Sequence, residues 1–292
     1  MVMPDFAYLR PLSLAEASAM ASRFGADAAF IAGGTELIPD FQRERESARH
    51  LIALDGIGEL RGIAVEQGIL RIGALTSVAD VAASPLVRNR LEALADAARA
   101  IGSAQIRSLA TIGGNFCRAV ACADTPPAAI AGGARVHLAG PMGVRDVAAE
   151  EFFVGPRRTV LTPGEVMVAV SVPPKPAGSG SSYQRFSRRK GSSLAVAAVA
   201  VHVTIAGGRM TGARLALGAV GPVPALVARA AEMLEGEVPS TALFTRAAAQ
   251  CAQEALPITD VRGTADFRRE LVSVLARRAL EEAVARAMAG QS

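Results

Sequence analysis

Apolar residues along this 292-residue chain fall into two kinds of pattern. In Ala28–Ala32, Leu51–Leu54 and Val166–Val172 they form short unbroken runs, as expected of strands covered on both faces. Between Pro85 and Ile101 they recur at 87, 91, 94, 98 and 101, the stripe of a helix. Asp5–Leu9 alternates like a short strand, and Ser13-Leu14-Ala15-Glu16 reads as a capping box opening an alanine-rich helix that stops at Gly25. A helix is expected over Leu37–Arg45, with Pro39 tolerated in its first turn. Strand, helix, strand, turn, helix and strand thus close a small α/β unit near Asp55, and residues 1–55 are assigned to it.

Residues 56–174 read as a second α/β unit. Leu60–Ile63 and Leu70–Ala74 are expected strands, Thr76-Ser77 caps a short helix, and Pro126-Pro127 opens another that ends at Gly132-Gly133. Arg135–Leu138 and Val144 suit a hairpin across Gly140-Pro141. Prolines at 173, 174 and 176, followed by small residues, mark a linker over 175–182. Beyond it, residues 183–292 place strands first (Tyr183–Arg188, Leu194–Ile205 and Leu215–Val220, with a Gly207-Gly208 hairpin turn) and helices second (Ala225–Leu234, Thr241–Ala255, Asp266–Ala289). That order predicts an α+β domain.

Hydrophobic residues make up 51% of the chain, which suits a well-cored globular protein. Basic residues number 31 against 27 acidic ones, almost all arginine, and their only cluster is Arg188-Arg189-Lys190. With no Trp and two Tyr, the aromatic-basic interleaving of a single-stranded nucleic-acid binder is absent. The longest apolar run, Leu194–Ala206, is broken by His202 and Thr204 and is shorter than the roughly 20 residues of a membrane span. The first ten residues lack a basic segment followed by an apolar core, so a cytoplasmic protein is expected.

Candidate chemistry lies in two Gly-Gly pairs. Ile31-Ala32-Gly33-Gly34-Thr35-Glu36 and Thr111-Ile112-Gly113-Gly114-Asn115 each carry an apolar, strand-like lead into two glycines and a hydroxyl or amide side chain. Glycine and asparagine tolerate positive φ, so both stretches are expected to bend sharply and turn successive N–H groups toward an anion. Either pair alone, in a chain with 28 glycines, reads as an ordinary turn. Neither matches Gly-x-Gly-x-x-Gly or the phosphate loop ending in Gly-Lys-Ser/Thr. Together they could grip the two halves of one pyrophosphate.

Ala32-Gly33-Gly34-Thr35-Glu36 and Thr111-Ile112-Gly113-Gly114-Asn115, with Asp124 following, resemble the two signatures of the FAD-binding medium subunit of molybdenum hydroxylases. The family includes xanthine dehydrogenase and aerobic carbon monoxide dehydrogenase. Phe152-Phe153-Val154-Gly155, Leu161-Thr162-Pro163-Gly164-Glu165, Tyr183 with Arg188-Arg189, Phe267-Arg268-Arg269-Glu270 and Arg277-Arg278-Ala279-Leu280 extend the likeness along the chain. The resemblance implies an α+β fold in which two α/β subdomains clamp FAD, as in the vanillyl-alcohol-oxidase/molybdopterin-dehydrogenase type, plus a C-terminal α+β domain.

It also implies a site. The pyrophosphate would lie on Ile31, Ala32, Gly33, Gly34, Thr35, Glu36 and Leu37, and on Thr111, Ile112, Gly113, Gly114 and Asn115. Asp124 would accept from a hydroxyl of the cofactor, although its place before Pro126-Pro127 equally suits a helix cap. Ile101 and Met167 match apolar positions on the cofactor, or belong to the core. Tyr183 matches an aromatic residue near the flavin ring, and Arg185 stands where many relatives have a nearby lysine. No catalytic nucleophile–base pair is expected on this chain.

Cys117, Cys122 and Cys251, with His50, His137 and His202, show no metal-ligand spacing, so no metal is expected here. By resemblance, the chain is one of three subunits, expected to form a dimer of heterotrimers. A large partner would carry the molybdopterin cofactor and a small one two [2Fe-2S] clusters. Electrons would pass through FAD to NAD, oxygen or a quinone. A stand-alone FAD oxidoreductase, with a base among Tyr183, His137 and His202, and a flavin-free scaffold are the rival readings.

Overall fold

The computed structural model describes residues 5–189 and 191–290. Met1–Pro4, Lys190, Gln291 and Ser292 lie outside them, and with them the last member of the Arg188-Arg189-Lys190 cluster.

The first unit runs β1 (Ala7–Leu9), α1 (Leu14–Phe24), β2 (Ala28–Ile31), α2 (Leu37–Gln42) and β3 (His50–Ala53). Helical returns make its three strands parallel, in the order β1-β3-β2, with β3 central and buried over Leu51–Ala53. The Ser13 hydroxyl accepts from the Glu16 N–H at 3.2 Å. The returning arm of the box lands one residue early, Glu16 Oε2 accepting from the Leu12 N–H at 2.9 Å.

The second unit comprises β4 (Ile63–Glu66), β5 (Ile69–Gly73), α3 (Val78–Ala83), α4 (Pro85–Arg90), α5 (Glu92–Ala100), α6 (Ala104–Leu109), α7 (Ile112–Cys117), α8 (Thr125–Ala131), β6 (Arg135–Gly140), β7 (Gly143–Ala148), β8 (Phe153–Gly155), β9 (Arg158–Thr159) and β10 (Val166–Val172). Its main sheet is antiparallel, in the order β4-β5-β10-β6-β7. Every residue of β10 is buried, which its unbroken apolar run requires of a central strand. Ile72, Val136, Leu138 and Val170 pack toward the helices, whereas Val166 and Val168 pack with Ala17, Ile52 and Leu54 of the first unit. One strand thus fastens the two units together.

Three expectations change here. Leu60 is the buried residue of a 3₁₀ turn, and the strand starts only at Ile63. The Pro85–Ile101 stripe is buried as expected, but Leu91 turns extended (φ −153°) and splits it into two helices. Thr111-Ile112 is not the end of a strand. Thr111 caps α7 through its hydroxyl, which accepts from the Gly114 N–H at 3.0 Å, and Gly113-Gly114-Asn115 are its first helical turn, not a positive-φ bend.

The third unit is β11 (Ser179–Ser187), β12 (Ala195–Ala206), β13 (Arg209–Gly218), β14 (Ala225–Leu226), α9 (Ala228–Glu232), α10 (Thr241–Glu254) and α11 (Ala265–Ala289), its strands antiparallel in that order. Along β12, residues 197, 199, 201, 203 and 205 face α10 and α11, while Ala195, Ala198 and Ala200 join the core of the second unit. Small residues on that face let the sheet approach α5 and α8 closely. Ala225–Leu234, expected as one helix, is a short strand followed by a short helix.

The expected linker also contracts, because β11 begins at Ser179 within it. A β-carbon on Gly180 would overlap the Ala283 carbonyl of α11. Ser181 is fully buried, its hydroxyl donating to Glu92 at 2.7 Å and accepting from the Ala93 N–H at 3.0 Å. Ser182 donates to Glu282 at 2.9 Å. These residues are small because they are packed between two helices, not because the chain is loose there.

Candidate functional site

Between the first and second units opens a cleft of about 490 Å³, reached from the third unit by Ser192, Ser193 and Leu194. The β2–α2 loop forms one wall and the α6–α7 junction with the start of α7 the other. Of the candidate residues, Ala32, Gly33, Gly34, Thr35, Glu36, Leu37, Ile101, Thr111, Gly113, Gly114, Asn115, Asp124 and Met167 line it. Ile31, Ile112, Tyr183 and Arg185 do not.

The two glycine pairs do different work. Gly34 holds φ +67°, the left-handed conformation that glycine adopts without strain. Gly33 is required by contact, since a β-carbon there would overlap the Leu109 carbonyl at the end of α6. The N–H groups of Gly33, Gly34, Thr35 and Glu36 donate to no protein acceptor among the described residues. Four successive unspent amides beside a threonine hydroxyl suit an anion.

On the opposite wall the amides are already committed. Ile112 donates to Thr76 O at 3.1 Å, Gly113 to Ala74 O at 2.8 Å, Gly114 to Thr111 Oγ1 and Asn115 to Thr111 O at 3.0 Å. The expected second cradle of inward N–H groups is therefore corrected: the cap and the turn after β5 consume them. Gly113 is needed for closeness, a β-carbon falling 2.8 Å from Ala74. Gly114, by contrast, is exposed in the cleft, where a β-carbon would meet only Thr111 Oγ1 at 3.0 Å. The Asn115 side-chain Oδ1 accepts from the Thr125 hydroxyl at 2.6 Å and from the Thr125 N–H at 3.3 Å, which ties α7 to α8.

Asp124 precedes α8 but makes no capping hydrogen bond. Its Oδ1 accepts from the Tyr183 hydroxyl at 2.6 Å, and Arg185 spans both carboxylate oxygens at 2.9 and 3.0 Å. Burial pushes the Asp124 carboxyl up from its ordinary pKa, while Arg185 and Tyr183 pull it back. Burial and the adjacent carboxylate raise the Tyr183 hydroxyl well above its usual range. Tyr183 and Arg185, expected beside the flavin ring, bond to Asp124 and do not themselves line the cleft.

Ile101 and Met167 are both buried in the core of the second unit and both on the cleft wall. The Cys117 thiol donates to the Met167 sulfur at 3.8 Å, and burial raises it to about 12. Burial also raises Cys122, which lines the cleft near Arg262. Among the described residues no group of three or more His, Cys, Asp or Glu gathers to hold a metal. His137 is bonded to Ser171 at 2.8 Å, His202 is driven down to about 4 by burial, and neither reaches the cleft.

Sequence reading overlooked several wall residues. Arg118, one turn beyond the second glycine pair, pairs with the buried Asp40 of α2 and lies 3.8 Å from Glu36. Glu165 lines the cleft and is gripped by Arg145 at 2.7 and 2.8 Å. Leu161 and the Ser192–Leu194 segment are also on the wall. Arg118 and Glu165 sit inside or beside the quoted motifs, the one signal that could have flagged them.

Residues 4–175 match the family model described as the FAD binding domain in molybdopterin dehydrogenase, and residues 181–283 the CO dehydrogenase flavoprotein C-terminal domain. The carbon monoxide dehydrogenase medium chain of Hydrogenophaga pseudoflava is 36% identical over 98% of this chain and 99% of its own. That of Afipia carboxidovorans is 34% identical, again over 98% and 99%. The solved carbon monoxide dehydrogenase from Hydrogenophaga pseudoflava, in a form lacking the Mo-pyranopterin moiety of its cofactor, superposes with a TM-score of 0.95 over 98% of this chain and 99% of that one. Two matched domains, a fold shared over 98% of the chain and a cleft walled by both glycine pairs give one answer: the chain belongs to the family of FAD-binding medium subunits of molybdopterin dehydrogenases.

Proposed function

We propose that this chain is the FAD-carrying electron-transfer subunit of a heterotrimeric molybdenum hydroxylase. Electrons reach it from [2Fe-2S] clusters on a small subunit, after oxidation of substrate at a molybdopterin cofactor on a large one, and leave to an external acceptor. The relatives named above as medium chains of carbon monoxide dehydrogenase support the assembly. The observation that carries the cofactor assignment is the row of four unspent amides from Gly33 to Glu36 on the cleft wall.

The residues fit FAD. The Gly33–Glu36 amides and the Thr35 hydroxyl would hold the pyrophosphate, with the exposed Gly114 leaving room on the opposite side. Ile101 and Met167 would cover an apolar ring face, and Asp124 would accept from a cofactor donor. When bound, FAD exchanges electrons singly or in pairs and so links one-electron clusters to a two-electron acceptor. The chain's own part is to bind, orient and shield. None of its three histidines lines the cleft, which disfavours a stand-alone enzyme using one of them as its base.

The test is an absorbance spectrum of the chain purified alone and after co-expression with its neighbouring genes. Flavin bands from the lone chain are expected, joined in the co-expressed sample by iron–sulfur absorbance that bleaches with substrate. Absence of flavin from both preparations would overturn the assignment. A yellow chain that never associates with the partners would make it a stand-alone flavoprotein.

A further inference from the structure

We infer that Tyr183 and Arg185 are positioning residues: they hold the Asp124 carboxylate in place as an anion that accepts from a hydroxyl or imide N–H of the bound cofactor, and do not touch the cofactor themselves. This rests on the FAD reading above.

The geometry is that of a clamp with one place left open. Tyr183 and Arg185 are two apart on β11, so their side chains leave the strand on one face. Both converge on Asp124, which is 6% exposed and lines the cleft, while neither of them does. Oδ1 accepts twice, from Tyr183 at 2.6 Å and Arg185 at 2.9 Å. Oδ2 accepts once, from Arg185 at 3.0 Å, and so keeps capacity for another donor. Asp124 is not used as a helix cap, and a capping role therefore does not account for it.

A carboxylate this deeply buried stays charged only with a cation in contact. The charged and titratable groups around it are Arg185 and Tyr183 from β11, Cys122 from its own segment, and Arg262 beside Cys122 from the loop before α11. Arg185 is the cation in direct contact, and its side chain is itself 10% exposed. The clamp also spans two units, since Asp124 belongs to the second and β11 to the third. Docking of the third unit thereby sets the charge on the cleft wall.

The experiment measures the FAD dissociation constant of the intact chain from about pH 6 to about pH 9. Wild type is expected to give a profile flat to within roughly twofold. In Arg185→Met the uncompensated carboxyl takes up a proton within this range, so FAD binding should weaken on the order of tenfold or more toward the acid end. Arg185→Lys should restore the flat profile, which a loss of packing alone would not explain. Should Arg185→Met fail to fold, Tyr183→Phe removes one hydroxyl and should tilt the profile the same way by a smaller factor. In an Asp124→Asn background the same change should add no slope.

Flat profiles in both Arg185→Met and Tyr183→Phe, or an equal slope from Tyr183→Phe with and without Asp124, would overturn the inference. A wild-type chain that binds no FAD at all would overturn the cofactor assignment itself, a separate outcome.

Discussion

Gly33 presses its α-carbon against the carbonyl of Leu109, leaving no room for a β-carbon between the two loops that wall the cleft. The two glycine pairs are therefore unequal partners: one supplies unspent amides, and the other is built into a capped helix against which the first is pressed. Gly33→Ala should force these loops apart, lowering stability by about 1–3 kcal/mol, as overpacking does, and weakening FAD retention with it. Gly114→Val should leave folding intact and abolish retention, because its side chain would enter open cleft. Thermal melts and flavin occupancy of the two variants separate these effects. Full occupancy in Gly114→Val would refute the placement of the cofactor.

Asn115 is expected as a cofactor partner, but its side-chain Oδ1 is already engaged by Thr125, which is fully buried. Asn115→Ala should therefore strip a buried hydroxyl and N–H of their acceptor and cost about 1–3 kcal/mol of folding stability. Chemical denaturation of the flavin-free chain measures it. A variant as stable as wild type but poorer in FAD would return Asn115 to a direct binding role.

Glu165 is held by Arg145, whose hydrogen bonds lower its carboxyl from an ordinary 4.5 to about 2. A depressed folded-state pKa means that the pair contributes stability fully above about 4.5 and loses it as pH falls toward 2. Wild type should melt above Glu165→Gln at neutral pH, and the gap should close on acidification through that window. A gap unchanged from pH 7 to the bottom of the window would show that the ion pair contributes nothing.

Gly180 packs against the backbone of α11 near Ala283. Gly180→Ala should push this helix off β11 and destabilise the third unit by about 1–3 kcal/mol, through overpacking. Insertion of one further glycine after Pro176, outside the strand, should be tolerated. Comparison of melting temperatures tests both halves, and a tolerated Gly180→Ala would restore the view of this stretch as a flexible linker.

Local chemistry in the sequence was enough for the caps at Ser13 and Ser77, the buried β10 and the long C-terminal helices. Each of these depends on residues close together in the chain: a hydroxyl three residues before an N–H, an apolar run too dense for a surface strand, a glycine after a helix. Motif resemblance extended that reading to the family. Tertiary structure decided the rest, because the deciding contacts span long stretches of chain. Thr111-Ile112 looks extended in isolation and Gly113-Gly114-Asn115 a sharp bend, yet bonds to Ala74 and Thr76 and a hydroxyl cap make the stretch a helix start. Ser179–Ser182 reads as slack linker until α5 and α11 close on it. Resemblance alone assigns Tyr183 and Arg185 to the cofactor. Their partner, Asp124, lies about sixty residues earlier, and only folding brings that carboxylate between them and the cleft.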